Sequence, residues 1–356
     1  VWLNQRLKLR ASASRAFRVP TYTELYYYDQ ANRGNPNLKP ELTREFEGGF
    51  DVETWRNRVR LEMTYYSKLT TDALIEQDIA SSTGSAATEV LRNLGKVKNA
   101  GFEALHNVRA LDLERVGLDV TIAASHNDNK VVTLGEGIPT IGTTTRTMAG
   151  YPMDSYFLIP YTYSDANNDG MIEPSELTIN RSETAFVGPA FAPDQASVSL
   201  ALDLLRQIRV NALFDHRSGH AQLTNTHSFL CAQSVSHEEV SNPATPLDRQ
   251  ARCVAARVGV TASGVNTRTN RGFYENGQFW RFRELSLTYD LPENLTRRYV
   301  RYAERLSLSL GARNLKVWTK YTGEDPEANY STGDTPSTLL TTAPRRYYTA
   351  RVNVQF

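Results

Sequence analysis

The chain has 356 residues, 40% of them hydrophobic and 22% charged, and its mean hydropathy of −0.46 is that of a soluble protein on average. No run of 18 or more apolar residues occurs, which excludes a transmembrane helix but not a membrane β-barrel, where only alternate residues meet lipid. With 40 basic against 39 acidic residues, net +1, there is no charge field of the kind that gathers nucleic acid.

The informative signal is period-two alternation in segments of about ten residues. The opening stretch Val1–Leu9 already reads as strand, setting Leu7, Leu9, Ala11 and Ala13 against Arg6, Lys8, Arg10 and Ser12. No charged leader, apolar core or cleavage site precedes it, so the chain reads as a fragment. Residues 42–54 oppose Phe46, Phe50 and Val52 to Glu45, Glu47, Asp51 and Glu53, and residues 57–68 oppose Val59, Leu61, Met63 and Tyr65 to Arg58, Arg60, Glu62 and Thr64. Strands also fit 100–111, 117–128, 195–204 and 207–216. His106 falls on an apolar face between Ala104 and Val108, so it is expected neutral or displaced. Residues 279–291 change parity between Trp280/Phe282 and Leu285/Leu287/Tyr289/Leu291, which predicts a β-bulge near Arg283-Glu284. Residues 305–316 and the final segment, where Tyr348, Ala350, Val352, Val354 and Phe356 share a face, bring the total to ten.

The connections alternate in length. Short links fall at 55–57, 112–116, 205–206 and 292–304, and long ones at 14–41, 69–99, 129–194, 217–278 and 317–344. Antiparallel strands so joined carry every long loop at one end, as outer-membrane barrels do, whereas a soluble sandwich has no reason to sort its loops. Aromatics mark the strand ends, Trp55 and Tyr289 by the short turns and Tyr65, Tyr66, Trp280 and Trp318 towards the long loops, as interfacial belts would. The opposite faces carry long charged side chains (Arg6, Lys8, Arg10, Arg58, Arg60, Glu45, Glu47, Glu62, Arg313, Arg351), which suit a wide or plugged lumen such as that of 22-stranded transporters.

Two loops carry local chemistry. Asp165-Ala166-Asn167-Asn168-Asp169-Gly170-Met171-Ile172-Glu173-Pro174-Ser175-Glu176 fits the twelve-residue calcium loop. Asp165, Asn167, Asp169 and Glu176 supply side-chain oxygens, Met171 a carbonyl and Gly170 the sharp turn, with Glu173 able to contribute directly or through water. The expected role is a structural Ca2+ clamping the 129–194 loop; the plainer reading is an Asx-rich polar turn. Cys231 and Cys253, in the 217–278 loop, suit a disulfide in an oxidising compartment, against the alternative of two unpaired thiols. Tyr26-Tyr27-Tyr28 in the first long loop either stack on cargo or pack the loop. His216 and His220, the one histidine pair at ligand-like spacing, read as solvated.

Several stretches resemble TonB-dependent receptors. Ser14-Arg15-Ala16-Phe17-Arg18-Val19-Pro20-Thr21 followed by Glu24-Leu25-Tyr26, and Gly34-Asn35-Pro36-Asn37-Leu38-Lys39-Pro40-Glu41, are similar to the first barrel loop of such receptors generally. Asn93-Leu94-Gly95-Lys96-Val97-Lys98-Asn99-Ala100-Gly101-Phe102-Glu103, the stretch Phe279 to Pro292, Arg313-Asn314-Leu315, and Trp318-Thr319-Lys320-Tyr321-Thr322-Gly323-Glu324-Asp325-Pro326-Glu327 resemble the SusC/RagA branch, and the terminal Phe356 is similar to the aromatic through which barrel proteins are recognised for outer-membrane assembly. The resemblance spans nearly the whole chain. It implies an all-β fold, in which residues 1–356 supply about ten C-terminal strands of a 22-stranded transmembrane barrel whose plug and earlier strands lie elsewhere. It implies an outer-membrane location and TonB-driven uptake of oligosaccharides or oligopeptides. It also implies TonB contact through the absent N-terminal region and a SusD-like lipoprotein partner. An Asp/Asn/Gly-rich turn ahead of a stretch like Gly188-Pro189 is also in keeping with that branch.

Two other readings stay open. One is a complete ten-stranded outer-membrane protease or lipase, which requires residues 3–13 to pair with 346–356 and an acid/His set at the lip, where Asp215-His216 is the one adjacent pair that tempts. The other is a soluble calcium-dependent carbohydrate-binding sandwich.

Overall fold

The computed structural model describes all residues except 1, 4–5, 29–31, 80–81, 83–88, 136–137, 234–236, 258–267, 301 and 329–337. Its dominant feature is one antiparallel sheet of eleven strands joined in strict chain order. The strands are β1 (Trp2–Leu3), β2 (Leu7–Arg18), β3 (Glu41–Thr54), β4 (Val59–Thr71), β5 (Lys96–Asp112), β6 (Val116–Thr133), β7 (Asp194–Leu204), β8 (Ile208–Ser218), β9 (Phe279–Asp290), β10 (Arg305–Thr319) and β11 (Tyr347–Gln355). Ten long segments were expected. The eleventh arises because the opening stretch is not one strand: Trp2–Leu3 folds back on Leu7–Lys8, and Arg6 sits in the turn between them.

The register confirms the two-faced pattern. Leu9 faces Phe50, which faces Met63, which faces Ala104 and then Ala124, and Leu287 faces Leu310, which faces Ala350. This outward face is bare: Leu308 is 38% and Leu310 45% exposed, and Phe46, Tyr65, Phe102 and Val352 are exposed beside them. No second sheet or helix among the described residues covers it, as a sandwich would require. His106 remains on this face between Leu61 and Ile122, so the expected displacement is not seen. Tyr66 departs from the expected belt, because it points inward and donates to Asn127 Oδ1 at 3.0 Å, leaving Tyr65 alone on the outside.

The inner face carries the charge, and most of it is paired. Asp51, only 5% exposed, takes Arg10 at 2.8 Å and Lys8 at 3.5 Å. Arg60 meets Glu62, Arg313 meets Glu284, Arg209 meets Asp203 and Arg305 meets Asp290, all within 3.0 Å. Arg58, expected as a strand residue, lies in the turn and reaches Asp112 at 3.0 Å.

The bulge falls where parity predicts it. On β9 the pairing passes from Phe282 to Glu284, leaving Arg283 without a ladder partner on either side. One extra residue returns both Trp280/Phe282 and Leu285/Leu287 to the outward face. The short connections are tight: Leu205 and Arg206 both have positive φ, and the Gln207 N–H bonds the Leu204 carbonyl at 3.1 Å, the pattern of a type I′ hairpin. The 291–304 link contains a short helix, Glu293–Tyr299.

The strands run past the apolar band at the long-loop end, so the long connections shrink to 19–40, 72–95, 134–193, 219–278 and 320–346. Polar residues such as Asn99, Asp128 and Lys130 continue the ladder there, because backbone pairing needs no apolar face once the strand has left the bilayer. β2 does not pair with β11. β2 lies between β1 and β3, and β11, at the far edge of the sheet, is bonded to β10, so the self-closing barrel that the enzyme reading requires is not formed by the described residues.

The fold predicts a depth-dependent contrast in the full-length receptor. Leu310→Arg, about halfway up the outward face, is expected to destabilise the barrel by about 2–4 kcal/mol. Ser309→Arg, whose side chain faces inward beside Thr288, should change it by well under 1 kcal/mol. Denaturant unfolding in lipid vesicles measures both, and equal effects would contradict the face assignment.

Candidate functional site

The long loops are not loose. At the end of the sheet they fold into a cap with hydrophobic clusters of its own. In one, Ile172 and Leu177 from the 134–193 loop pack on Ala251, Val254 and Ala255 of the helix Leu247–Arg257 in the 219–278 loop. In another, Ala73, Ile75, Leu94 and Val97 pack with Leu134, Ile138, Ile141 and Met153.

The acidic loop sits at the first of these junctions. Asp165 Oδ2 accepts from Gly170 N–H at 3.0 Å, Asn167 Oδ1 from Asp169 N–H at 3.0 Å, and Asp169 Oδ1 from Met171 N–H at 2.8 Å. Glu176 reaches back across the loop, its Oε1 accepting from Ala166 at 2.8 Å and its Oε2 from Glu173 at 3.1 Å. The Glu173 N–H is the main cause that holds the Glu176 carboxyl below the usual range, so it is anionic at neutral pH. Asn168 and Gly170 take the positive φ values that curl the chain. Asp165 Oδ1 is buried and has no hydrogen-bond partner. The loop is locked from outside by Gln250, which is fully buried. Its Nε2 donates to the Gly170 carbonyl at 2.9 Å and its Oε1 accepts from Ile172 N–H at 2.9 Å. Nothing in the spacing of the sequence pointed to Gln250.

Cys231 and Cys253 form a disulfide, with Cα atoms 5.2 Å apart. It joins the helix Asn225–Gln233 to the helix Leu247–Arg257. His237 and Glu239 lie against it, and one donor atom from each of the four residues falls within 4.8 Å of the others. This is not a free metal-ligand set, because the sulfurs are bonded to each other and Glu239 is held at both oxygens by Arg252, at 2.6 and 3.0 Å. Burial alone would raise the Glu239 carboxyl, but the Arg252 contacts outweigh it and hold it lowered. Arg252 also takes Glu275 at 2.8 Å.

The second missed feature joins two stretches that stand 44 residues apart in sequence. Arg281 and Arg283 of β9 grip Asp325 and Glu327 of the 320–346 loop. Arg281, 2% exposed, lies 2.5 Å from Asp325, itself 4% exposed. Arg283 Nη1 and Nη2 bond Glu327 at 2.9 and 2.8 Å, and Arg283 also binds Asp215. The bulge residue is thus the one that reaches into the lumen to hold a loop. Asp215 and His216 point to opposite faces, since His216 donates from Nδ1 to the Phe279 carbonyl and stacks on Trp280 outside, so they cannot act as a dyad. A similar join involves Asn93, which bonds Lys39 N–H, the Lys39 carbonyl and the Asp72 carbonyl at 2.7–2.9 Å. Beside it, Gly95 and Gly101 press so close to β6 that an added Cβ would sit 1.8 and 1.9 Å from the carbonyl oxygens of Thr133 and His126.

Tyr26, Tyr27 and Tyr28 are all more than half exposed, and Tyr22 stacks near Tyr26 with ring centroids 5.2 Å apart. His220 is half-buried, and burial followed by Arg217 depresses its pKa. It does not pair with His216, whose Nδ1 is committed to Phe279.

A sheet greasy outside and charged inside, topped by folded loops at one end, defines a segment of an outer-membrane β-barrel. A family model described as TonB dependent receptor-like, beta-barrel matches residues 1–315. The chain belongs to that family. TonB-dependent receptor P3 of Formosa agariphila is 24% identical over 337 residues, covering 83% of this chain and 31% of that receptor. TonB-dependent receptor P26 of the same organism is 22% identical, covering 83% and 32%. The chain therefore spans about a third of the length of these relatives. Its fold matches the structure of the RagAB peptide transporter at a TM-score of 0.72 and 20% identity, covering 98% of this chain and 41% of that one.

The ion network predicts that Arg283→Ala, which leaves Asp215 without its cation and Glu327 with Arg281 alone, loosens the 320–346 loop. Breaking one partner of a buried pair costs about 3–5 kcal/mol. Hydrogen exchange of the full-length receptor should show that loop opening at least tenfold more often while β9 amides stay protected. Unchanged exchange in the loop would refute the latch.

Proposed function

We propose that this chain is part of the wall and the extracellular cap of a TonB-dependent importer of the SusC/RagA branch, which takes up oligosaccharides or oligopeptides with a SusD-like lipoprotein above its loops. The observation that carries the reading is the pairing of a bare apolar exterior with a charged interior whose loops, all at one end, are built into a folded cap. The long-loop end is extracellular in this reading. TonB contact falls to the part of the receptor that precedes these strands. The structural match to a peptide transporter favours oligopeptides as the first cargo to test. The exposed tyrosines at 26–28 are then cargo-facing groups at the rim. Cells expressing the full-length receptor should accumulate labelled oligopeptides or oligosaccharides only when TonB is intact. Uptake that persists without TonB would sink the proposal.

We further infer that the 165–176 loop holds a structural Ca2+. The donor chemistry fits: Asp165 Oδ1 is orphaned in a buried position, and the carboxylates of Asp169 and Glu176 keep lone pairs beyond those used by backbone N–H groups. Asp165, Asn167, Asp169, Glu176 and the Met171 carbonyl would be the ligands. The ion would neutralise a cluster that otherwise holds four carboxylates (Asp165, Asp169, Glu173, Glu176) in twelve residues. Calorimetry of the full-length receptor should give a Kd of about 10⁻⁴–10⁻³ M, abolished by Asp165→Ala/Asp169→Ala. Equal heats for the two proteins would remove calcium from the account.

A further inference from the structure

The outward row of β10 runs Leu306, Leu308, Leu310, Ala312 and then, after the irregularity at Asn314, Lys316 and Trp318. From Arg305 to Lys316 there are about ten ladder steps. At roughly 3.3 Å each and a tilt of roughly 40°, they climb about 25 Å, the height of the apolar band. Lys316 therefore stands at the rim of the bilayer on the long-loop side, facing lipid. Trp318 lies directly across from Trp280, and the His216 ring stacks on Trp280 with centroids 4.5 Å apart and planes 18° apart. The Lys316 ammonium lies 5.6 Å from the Trp318 ring centroid.

A groove of about 410 Å³ opens at this edge, lined by Asn276, Gln278, Trp280, Trp318 and Lys320 among others. No carboxylate lines it. Among the described residues neither Lys316 nor Lys320 is ion-paired, in contrast to Arg281, Arg283 and Arg313 on the inner side of the same two strands. A lysine at the interface is tolerated at a cost of about 0–1 kcal/mol, and beyond its contact with the Trp318 ring the charge has no anionic partner among the described residues. Two unpaired ammonium groups, Lys320 in the groove and Lys316 beside Trp318, two indoles suited to the headgroup level and side-chain amides that can donate make an anion-binding patch on the outward face. A lipid phosphate is the anion found at that depth, and lysine binds phosphate as a point charge.

We propose that the outer edge of β9 and β10 binds the phosphate of an outer-leaflet lipid, with Lys316 and Lys320 as its cations and Trp280 and Trp318 as the walls that hold the sugar and upper acyl region. The site is separate from the transport path, so it stands whichever cargo the receptor carries. Native mass spectrometry of the full-length receptor with monophosphoryl lipid A and with its dephosphorylated form tests it. Each lysine is expected to add about fivefold to the preference for the phosphorylated lipid. Lys316→Gln/Lys320→Gln should bring the preference to about one while Lys316→Arg/Lys320→Arg keeps it, with heat-modifiable gel migration showing each barrel folded. A wild-type receptor that binds both lipids equally overturns the proposal. So does a folded glutamine variant that keeps the full preference.

Discussion

Everything in this chain follows from the need to satisfy each backbone amide inside a medium that offers no water. A ladder of antiparallel strands does that, and it forces successive side chains to opposite faces. One face must then tolerate hydrocarbon and the other is free to carry charge, which is why Leu310 and Ser309, adjacent in sequence, live in different solvents. The bulge at Arg283 shows how tightly the rule is held. An odd residue in the strand would otherwise turn three leucine-type side chains inward. The fold absorbs it as an unpaired position and uses that residue's long side chain for another purpose.

That other purpose links the membrane part to the cap. Loops of 20 to 60 residues do not stay in place by closure alone, and the cap's hydrophobic clusters leave the placement of several loop rims to be fixed by other contacts. The cap is therefore organised by a small number of polar joints: Arg281 and Arg283 with Asp325 and Glu327, Arg252 with Glu239 and Glu275, and Asn93 with the backbone of Lys39 in another loop and of Asp72 at the start of its own. The Arg281–Asp325 and Arg252–Glu239 pairs are buried enough that a missing partner leaves an uncompensated group. These joints specify geometry more than they add stability, and they place the loop rims relative to the barrel wall.

The sheet was legible because its information is local and periodic: eight or ten residues reveal which face is which, and a parity slip reveals the bulge. Strand ends were less so, since Asn99 or Lys130 look like loop residues until the ladder is seen to continue through them. The opening strand was overread for the same reason, alternation from Leu7 onward masking the reversal at Arg6. In the cap, the twelve-residue acidic turn could be recognised because its donors lie within one segment. Gln250, 80 residues downstream of the carbonyl it binds, carries no local signature, and neither does the match of the Arg281/Arg283 stretch to Asp325/Glu327 44 residues on. Motifs that resemble a family can be read singly, whereas their contacts with one another are a property of the folded chain.

The position of Gln250 has a mechanical result. Its one amide holds the Gly170 carbonyl and the Ile172 amide of one loop while also donating to Thr245 beside its own helix, and that helix is sewn by the disulfide to its neighbour. Lifting the acidic turn away from the sheet would strip a buried side chain of several bonds at once. The two longest connections are thereby joined at a buried contact, so displacing the acidic turn means displacing the Leu247–Arg257 helix with it or breaking that contact.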